Sequence, residues 1–121
     1  MIKHYTPHSA VAATTTSDPI PVEEARKVTF WFNRTNHDSG STTFTVTGTV
    51  DGVNYVALNK LVNNAANSNS QTILRTASIA LSSDTSAIAS LDLQHDTLKA
   101  IKVVCTIATD GKGNCKVAVE Q

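Results

Sequence analysis

The stretch "TFTVTGTVDGVNYVAL", residues 43–58, decides the fold class of this 121-residue chain. Residues 44, 46, 48 and 50 form one face and threonines 43, 45, 47 and 49 the other, the period-two pattern of a β-strand. Asp51-Gly52 then predicts a turn, because glycine takes a positive φ without steric cost and aspartate caps the turn locally. Residues 54–58 return as the partner strand, so the stretch predicts a β-hairpin.

The same alternation recurs along the chain, with polar turns between the strands. It predicts further strands at residues 28–32, 74–81, 88–93, 101–107 and 115–119, a hydrophilic loop at 60–71, and one competing helical turn near residues 93–100. These elements predict an all-β protein: a single β-sandwich or jelly-roll domain of about seven or eight antiparallel strands over residues 25–121. The two topologies share the same local pattern, so the pairing order stays open.

Residues 1–24 contain all three prolines, Pro7, Pro19 and Pro21. Proline cannot donate a hydrogen bond to a sheet, so this region is predicted to be an extended N-terminal arm. The arm is either a frayed terminus or a segment ordered by a neighbouring subunit.

Charge is sparse and balanced. Charged residues make up 17% of the chain, with ten basic and ten acidic residues, against roughly 25% in an average globular protein. Such a surface has no field to attract nucleic acid or an anionic membrane, and neither partner is expected. Without a signal-like start or an apolar run of about 18 residues, synthesis in the cytoplasm is the default expectation.

The sequence predicts no enzyme: no catalytic, cofactor-binding or metal-binding residue stands out, and no known catalytic or phosphate-binding motif occurs. The four histidines lie far apart in predicted arm or loop segments: His4, His8, His37 and His95. Asn33-Arg34-Thr35 matches a glycosylation acceptor, a pattern common by chance.

The two cysteines, Cys105 and Cys115, are predicted to flank the last hairpin as diagonal neighbours on its inner face. That arrangement favours buried free thiols over a disulfide but leaves the disulfide open.

Trp31 and Tyr55 are the aromatic residues of most interest for binding. Trp31 lies on the strand face opposite Phe30 and Phe32, and exposed aromatics often mark interfaces. That face meets solvent or another protein, or the strand is central and covered on both sides.

The residues "VTFWF" at 28–32 and "VTGTVDGVNYVAL" at 46–58 together resemble the small β-domains of bacteriophage virion proteins. These include capsid decoration (cement) proteins and some neck and tail accessory proteins. The shared pattern is V-x-G-x-x-D-G-x-N-[YW]-x-x-L, and Val53 departs from it where a Thr or Ser would suit the turn.

This resemblance implies a homotrimer on the capsid surface of the virion, where it bridges and stabilises subunits of the major capsid protein. Residues 1–24 would then carry capsid attachment or subunit exchange. The candidate interface residues are Tyr5, Pro7, Pro19, Pro21, Trp31 and Tyr55.

Alternatives from other classes are a phage neck or tail accessory protein, a carbohydrate-binding β-sandwich, and an enzyme on a jelly-roll frame. A carbohydrate-binding module would need exposed aromatics, yet three of the six aromatics are phenylalanines needed for the core. An enzyme would need His, Asp or Glu residues that converge on neighbouring strands, where this chain carries threonine.

Overall fold

A computed structural model describes residues 1–36, 39–63, 75–93 and 97–121. Within these ranges the regular structure is entirely β, which confirms the predicted all-β class. Seven strands have four or more residues and five are shorter. The strands are β1 (Ile2–Val11), β2 (Thr15–Thr16), β3 (Ile20–Pro21), β4 (Lys27–Thr35), β5 (Thr42–Thr49), β6 (Val56–Ala57), β7 (Leu61–Asn63), β8 (Arg75–Thr76), β9 (Ser78–Leu81), β10 (Ser86–Asp92), β11 (Ala100–Ile107) and β12 (Lys112–Glu120).

The strands form two antiparallel sheets. The first sheet has the order β1-β12-β4-β10-β7-β8, and the second has β2-β11-β5-β6, with β3 also paired to β11 and β9 also paired to β5. Both sheets contribute buried apolar side chains to one core, as a β-sandwich requires.

Phenylalanine rings at the centre of the core join the two sheets. Phe30 and Phe32 point inward from β4, and their ring centroids lie 5.5 Å apart. Phe32 stacks on Phe44 of β5 at 4.7 Å, across the sandwich. All three are fully buried, and aromatic pairs of this kind add about 0.5–1.5 kcal/mol each beyond the area they bury. The inward faces predicted for both strands are therefore confirmed.

The first 24 residues are extended and lie against both sheets of their own chain. β1 pairs with β12 at the edge of the first sheet, and β2 and β3 pair with β11 in the second. The register between β1 and β12 shifts on either side of His8. Such an irregularity on an edge strand accommodates Pro7, which has no N–H to donate. The buried His8 Nε2 lies 2.8 Å from the Val103 carbonyl oxygen and thus links the two sheets.

Two predicted elements differ in the structure. The loop predicted at residues 60–71 begins with strand β7, whose Leu61 is fully buried, and its residues 64–71 lie outside the described ranges. The strand predicted at 74–81 divides at Ala77: β8 joins the first sheet and β9 the second. A period-two pattern marks extended backbone but not the sheet that receives it, so the sequence could not locate this division. Residues 94–96, central to the competing helical turn, also lie outside those ranges.

The predicted hairpin around the cysteines is wrong, because β11 and β12 belong to different sheets. Cys105 lies beside Phe44 in the second sheet and Cys115 beside Phe32 in the first. Both cysteines are buried free thiols, as favoured from the sequence. Burial raises the pKa of Cys105 to about 11 and raises the pKa of Cys115 further, with a contribution from nearby Cys105. Neutral, buried thiols of this kind are chemically inert.

Candidate functional site

The turn predicted at Asp51-Gly52 is built around the Asp51 carboxylate. The backbone N–H groups of Val53 and Asn54 each donate to its Oδ1 at 2.8 Å. The side chains of Asn54 and Thr49 also donate to the carboxylate, at 2.6 and 2.9 Å. These hydrogen bonds, those from the Asn54 and Val53 backbone foremost, favour the charged form and hold the pKa of Asp51 well below its usual 3.8. Gly52 has a φ of +85°, as the turn requires.

The remaining residues of the phage-like pattern also have structural roles. Gly48 leaves room for Leu58, because a Cβ at this glycine would lie 2.8 Å from the leucine Cδ1. The Lys102 ammonium lies 4.3 Å from the centroid of the Tyr55 ring, a cation–π contact. The predicted hairpin is thus confirmed. Its returning strand is shorter than the predicted 54–58 and covers only Val56–Ala57.

Three valines are exposed around this rigid turn. The exposed fractions are 74% for Val50, 78% for Val53 and 67% for Val56, and we call these residues the valine tip. They lie within seven residues of one hairpin, and exposed apolar side chains that form a shared patch mark interaction sites. Asp51, Gly52 and Asn54 form the turn itself, while the valines project from positions that the pattern leaves unspecified.

A groove of about 400 Å³ lies on the outer face of the first sheet. Trp31 is paired with Ile88 of β10 on one side and with Lys116 of β12 on the other, so the three form one row of large side chains. The next row contains the small residues Thr29 and Ala118, which are paired with each other. Because outward side chains alternate along each strand, this small-residue row leaves a depression beside the larger one. We call it the tryptophan groove.

The structure brings only some of the predicted interface residues together. Tyr5 and the half-buried Trp31 both line the tryptophan groove. Although β4 is a central strand, the Trp31 face keeps solvent contact, so the alternative of a strand covered on both sides is wrong. Tyr55 contacts Lys102 on the outer face of the second sheet, away from the groove. Three further candidates lie along the N-terminal segment: half-buried Pro7 in β1, and exposed Pro19 and Pro21 at β3.

Arg34 is a central residue that the sequence analysis missed. Its side chain is fully buried at the end of β4, and Asp110 Oδ1 lies 3.7 Å from its Nη2. The guanidinium donates to four carbonyl oxygens: Nη1 to Gly40 at 2.9 Å and Leu81 at 3.2 Å, and Nη2 to Ser39 at 2.7 Å and Asp110 at 3.2 Å. The sequence did contain one indication that Arg34 is buried, because Arg34 continues the inward-facing series of Phe30 and Phe32 at period two.

Among the described residues, no group of three or more His, Cys, Asp or Glu side chains could hold a metal ion. His4 lines the tryptophan groove and His8 is buried between the sheets, whereas His37 and His95 lie outside the described ranges. The described part of the chain also contains no helix long and apolar enough to cross a membrane.

Two solved structures resemble this sandwich over almost its whole length. The chain is similar to the SPBc2 prophage-derived protein YomS, with a TM-score of 0.74 and 14% identity over 98% of this chain and 92% of that one. It is also similar to the PBSX exported protein XepA, with a TM-score of 0.75 and 13% identity over 98% of this chain but only 37% of XepA. No family model and no curated protein sequence matches the chain. At this level of identity, the likeness to YomS and XepA shows a shared fold.

Proposed function

We propose that the chain is a structural protein of a bacteriophage particle and acts by binding other proteins. The observation that carries this proposal is the end-to-end likeness to a prophage-derived protein, since YomS and this chain match over nearly the whole of both. The hairpin that resembles those of phage virion proteins also supports it, because Asp51 holds its turn, Gly48 makes room for Leu58, and Tyr55 contacts Lys102.

More specifically, we propose a homotrimer, made in the host cytoplasm, that binds the outside of the capsid and bridges subunits of the major capsid protein. It acts as a binding protein and not as an enzyme. Its low charge suits dense packing in an assembly, because copies repel one another weakly. The edge strand β1 supports a multisubunit state, since uncovered strand edges favour pairing with other chains. Candidate contacts with the partner are the exposed Pro19 and Pro21 and the N-terminal segment around Tyr5 and Pro7.

The test is quantitative mass spectrometry of purified particles of the phage that encodes the chain, with heads and tails separated before digestion. The proposal expects the chain in the head fraction at a fixed stoichiometry to the major capsid protein. Recovery with tails alone would instead support the accessory-protein alternative. Absence from both fractions would overturn a structural role in the particle.

A binding measurement separates the capsid role from mere presence in the particle. Purified chain is added to heads that lack it, and bound protein is measured together with the temperature at which heads release DNA. The proposal expects saturable binding and a higher release temperature. Heads that bind the chain without any gain in stability would contradict the bridging role.

A further inference from the structure

We propose that the valine tip of one copy inserts into the tryptophan groove of a second copy, and that this contact builds the oligomer. The inference rests on the proposed homotrimer but not on where in the particle the homotrimer lies.

The chemistry of the two surfaces is complementary. The tip presents three short branched side chains that are each at least two-thirds exposed. The groove offers the Trp31 ring and the half-exposed Ile88 around a floor of small residues. Transfer of the valines into that groove removes apolar surface of both copies from water, which is the main driving force for protein association. One copy therefore carries both halves of an apolar contact.

Charge complementarity selects this occupant. The Asp51 carboxylate at the centre of the tip is fully solvent-accessible and remains ionised, because its hydrogen bonds stabilise the anion. The groove carries a positive charge at Lys116, whose ammonium lies 5.6 Å from the centroid of the Trp31 ring. His4 is a further polar residue in the lining of the groove. An incoming tip thus brings a negative charge towards the positive side of the groove.

The rigidity of the tip also favours binding. Four hydrogen bonds to Asp51 fix the turn before any partner arrives. A preordered loop loses less conformational entropy on association than a flexible one.

The contact can only form between copies. The tip belongs to a hairpin of the second sheet, whereas the groove lies on the face of the first sheet that points away from the second. A contact between two different patches is head-to-tail, and it produces either a closed ring or an open filament. The proposed trimer is the closed form.

The experiment uses three lysine substitutions at exposed positions of the full chain, measured by light scattering. Val53→Lys disables the tip, and Ile88→Lys disables the groove. Ala80→Lys on β9 lies outside both surfaces and is the matched control. We expect wild type and the control to be oligomeric, and each of the other two variants to be a 12.9 kDa monomer. An equimolar mixture of the tip and groove variants should form a dimer of twice that mass, because it retains one intact tip and one intact groove.

Fluorescence supplies a second readout, since Trp31 is the single tryptophan of the chain and lies in the groove. Its emission should shift to shorter wavelength when a tip excludes water from the ring. The same shift should appear on mixing the two variants only if the valine tip enters the groove.

Each other outcome contradicts the inference in a recognisable way. If Val53→Lys or Ile88→Lys remains oligomeric, another surface joins the copies, and the homotrimer stands without this contact. If both are monomeric but their mixture stays monomeric, the head-to-tail arrangement is wrong. A monomeric wild type would overturn the contact and the homotrimer together, while the particle-composition test would still decide the structural role in the phage.

Discussion

Two charged side chains, Asp51 and Arg34, each hold a loop of this protein through four hydrogen bonds, yet they work in opposite settings. Asp51 is fully exposed, and its partners lie within three residues of it along the chain. Arg34 is fully buried, and it joins carbonyl groups from residues as distant as Asp110. The first network shapes one turn, whereas the second fastens three separate parts of the chain to each other.

In this fold, one network stabilises the core and the other shapes an exposed loop. A buried charge must have its hydrogen-bonding partners, because an unpaired polar group in the core costs far more than one in water. An exposed network exchanges its bonds with solvent at little cost. We therefore expect the Arg34 loops to govern global stability and the Asp51 turn to govern the shape of the valine tip.

The largest effect is expected for Arg34→Met. This change leaves the buried Leu81 carbonyl and the partly buried carbonyls of Ser39, Gly40 and Asp110 without their donor, and it should reduce the free energy of unfolding by about 3–5 kcal/mol. Urea denaturation at neutral pH measures the loss. Arg34→Lys is the matched control, because it keeps the positive charge but not the planar guanidinium. Its free energy of unfolding should lie between those of wild type and Arg34→Met. A loss below about 1 kcal/mol for Arg34→Met would show that the buried network is not a major source of stability.

An intermediate effect is expected from alanine at Gly40 in the Arg34 loops and at Gly52 in the Asp51 turn, which are two of the three described glycines with positive φ. Gly40 has a φ of +75°, and a Cβ there would lie 2.8 Å from the Thr109 Cβ. Gly52 has a φ of +85°, but a Cβ there would meet only the flexible Lys99 side chain at 3.4 Å. Gly52→Ala should cost about 1–2 kcal/mol from backbone strain alone, and Gly40→Ala about 2–4 kcal/mol because crowding adds to the strain. Thermal unfolding measures both losses. Equal losses of unfolding free energy for the two variants would show that crowding at Gly40 adds no cost to the backbone strain.

The smallest effect on stability is expected for Asp51→Asn. The folded state lowers the pKa of Asp51, so the carboxylate contributes stability above its usual pKa of 3.8, and that contribution disappears as the pH falls through the lower folded-state value. The melting temperatures of wild type and variant should therefore differ slightly at about pH 6, and the difference should shrink steadily as the pH falls below about 4. A difference that persists unchanged in acid would mean that the ionised carboxylate is not its source.

The same two loops show how far the sequence could predict the molecule. Asp51-Gly52 was readable because all partners of the turn are near neighbours and glycine marks the positive φ. The role of Arg34 could not be predicted from the sequence, because its hydrogen-bond acceptors come together only after strands from both sheets have assembled. The tryptophan groove has the same origin: Trp31 was predicted to face outward, but Ile88 and Lys116 become its neighbours only through the strand order. The hairpin predicted between β11 and β12 failed for this reason too, since local alternation does not reveal a crossing between sheets.

We propose that this sandwich is a self-assembling structural protein and that the valine tip joins its copies. The most direct test is the solution mass of purified wild-type protein by light scattering across a dilution series. We expect a persistent species of three times 12.9 kDa. A strict monomer of 12.9 kDa at every concentration would contradict it.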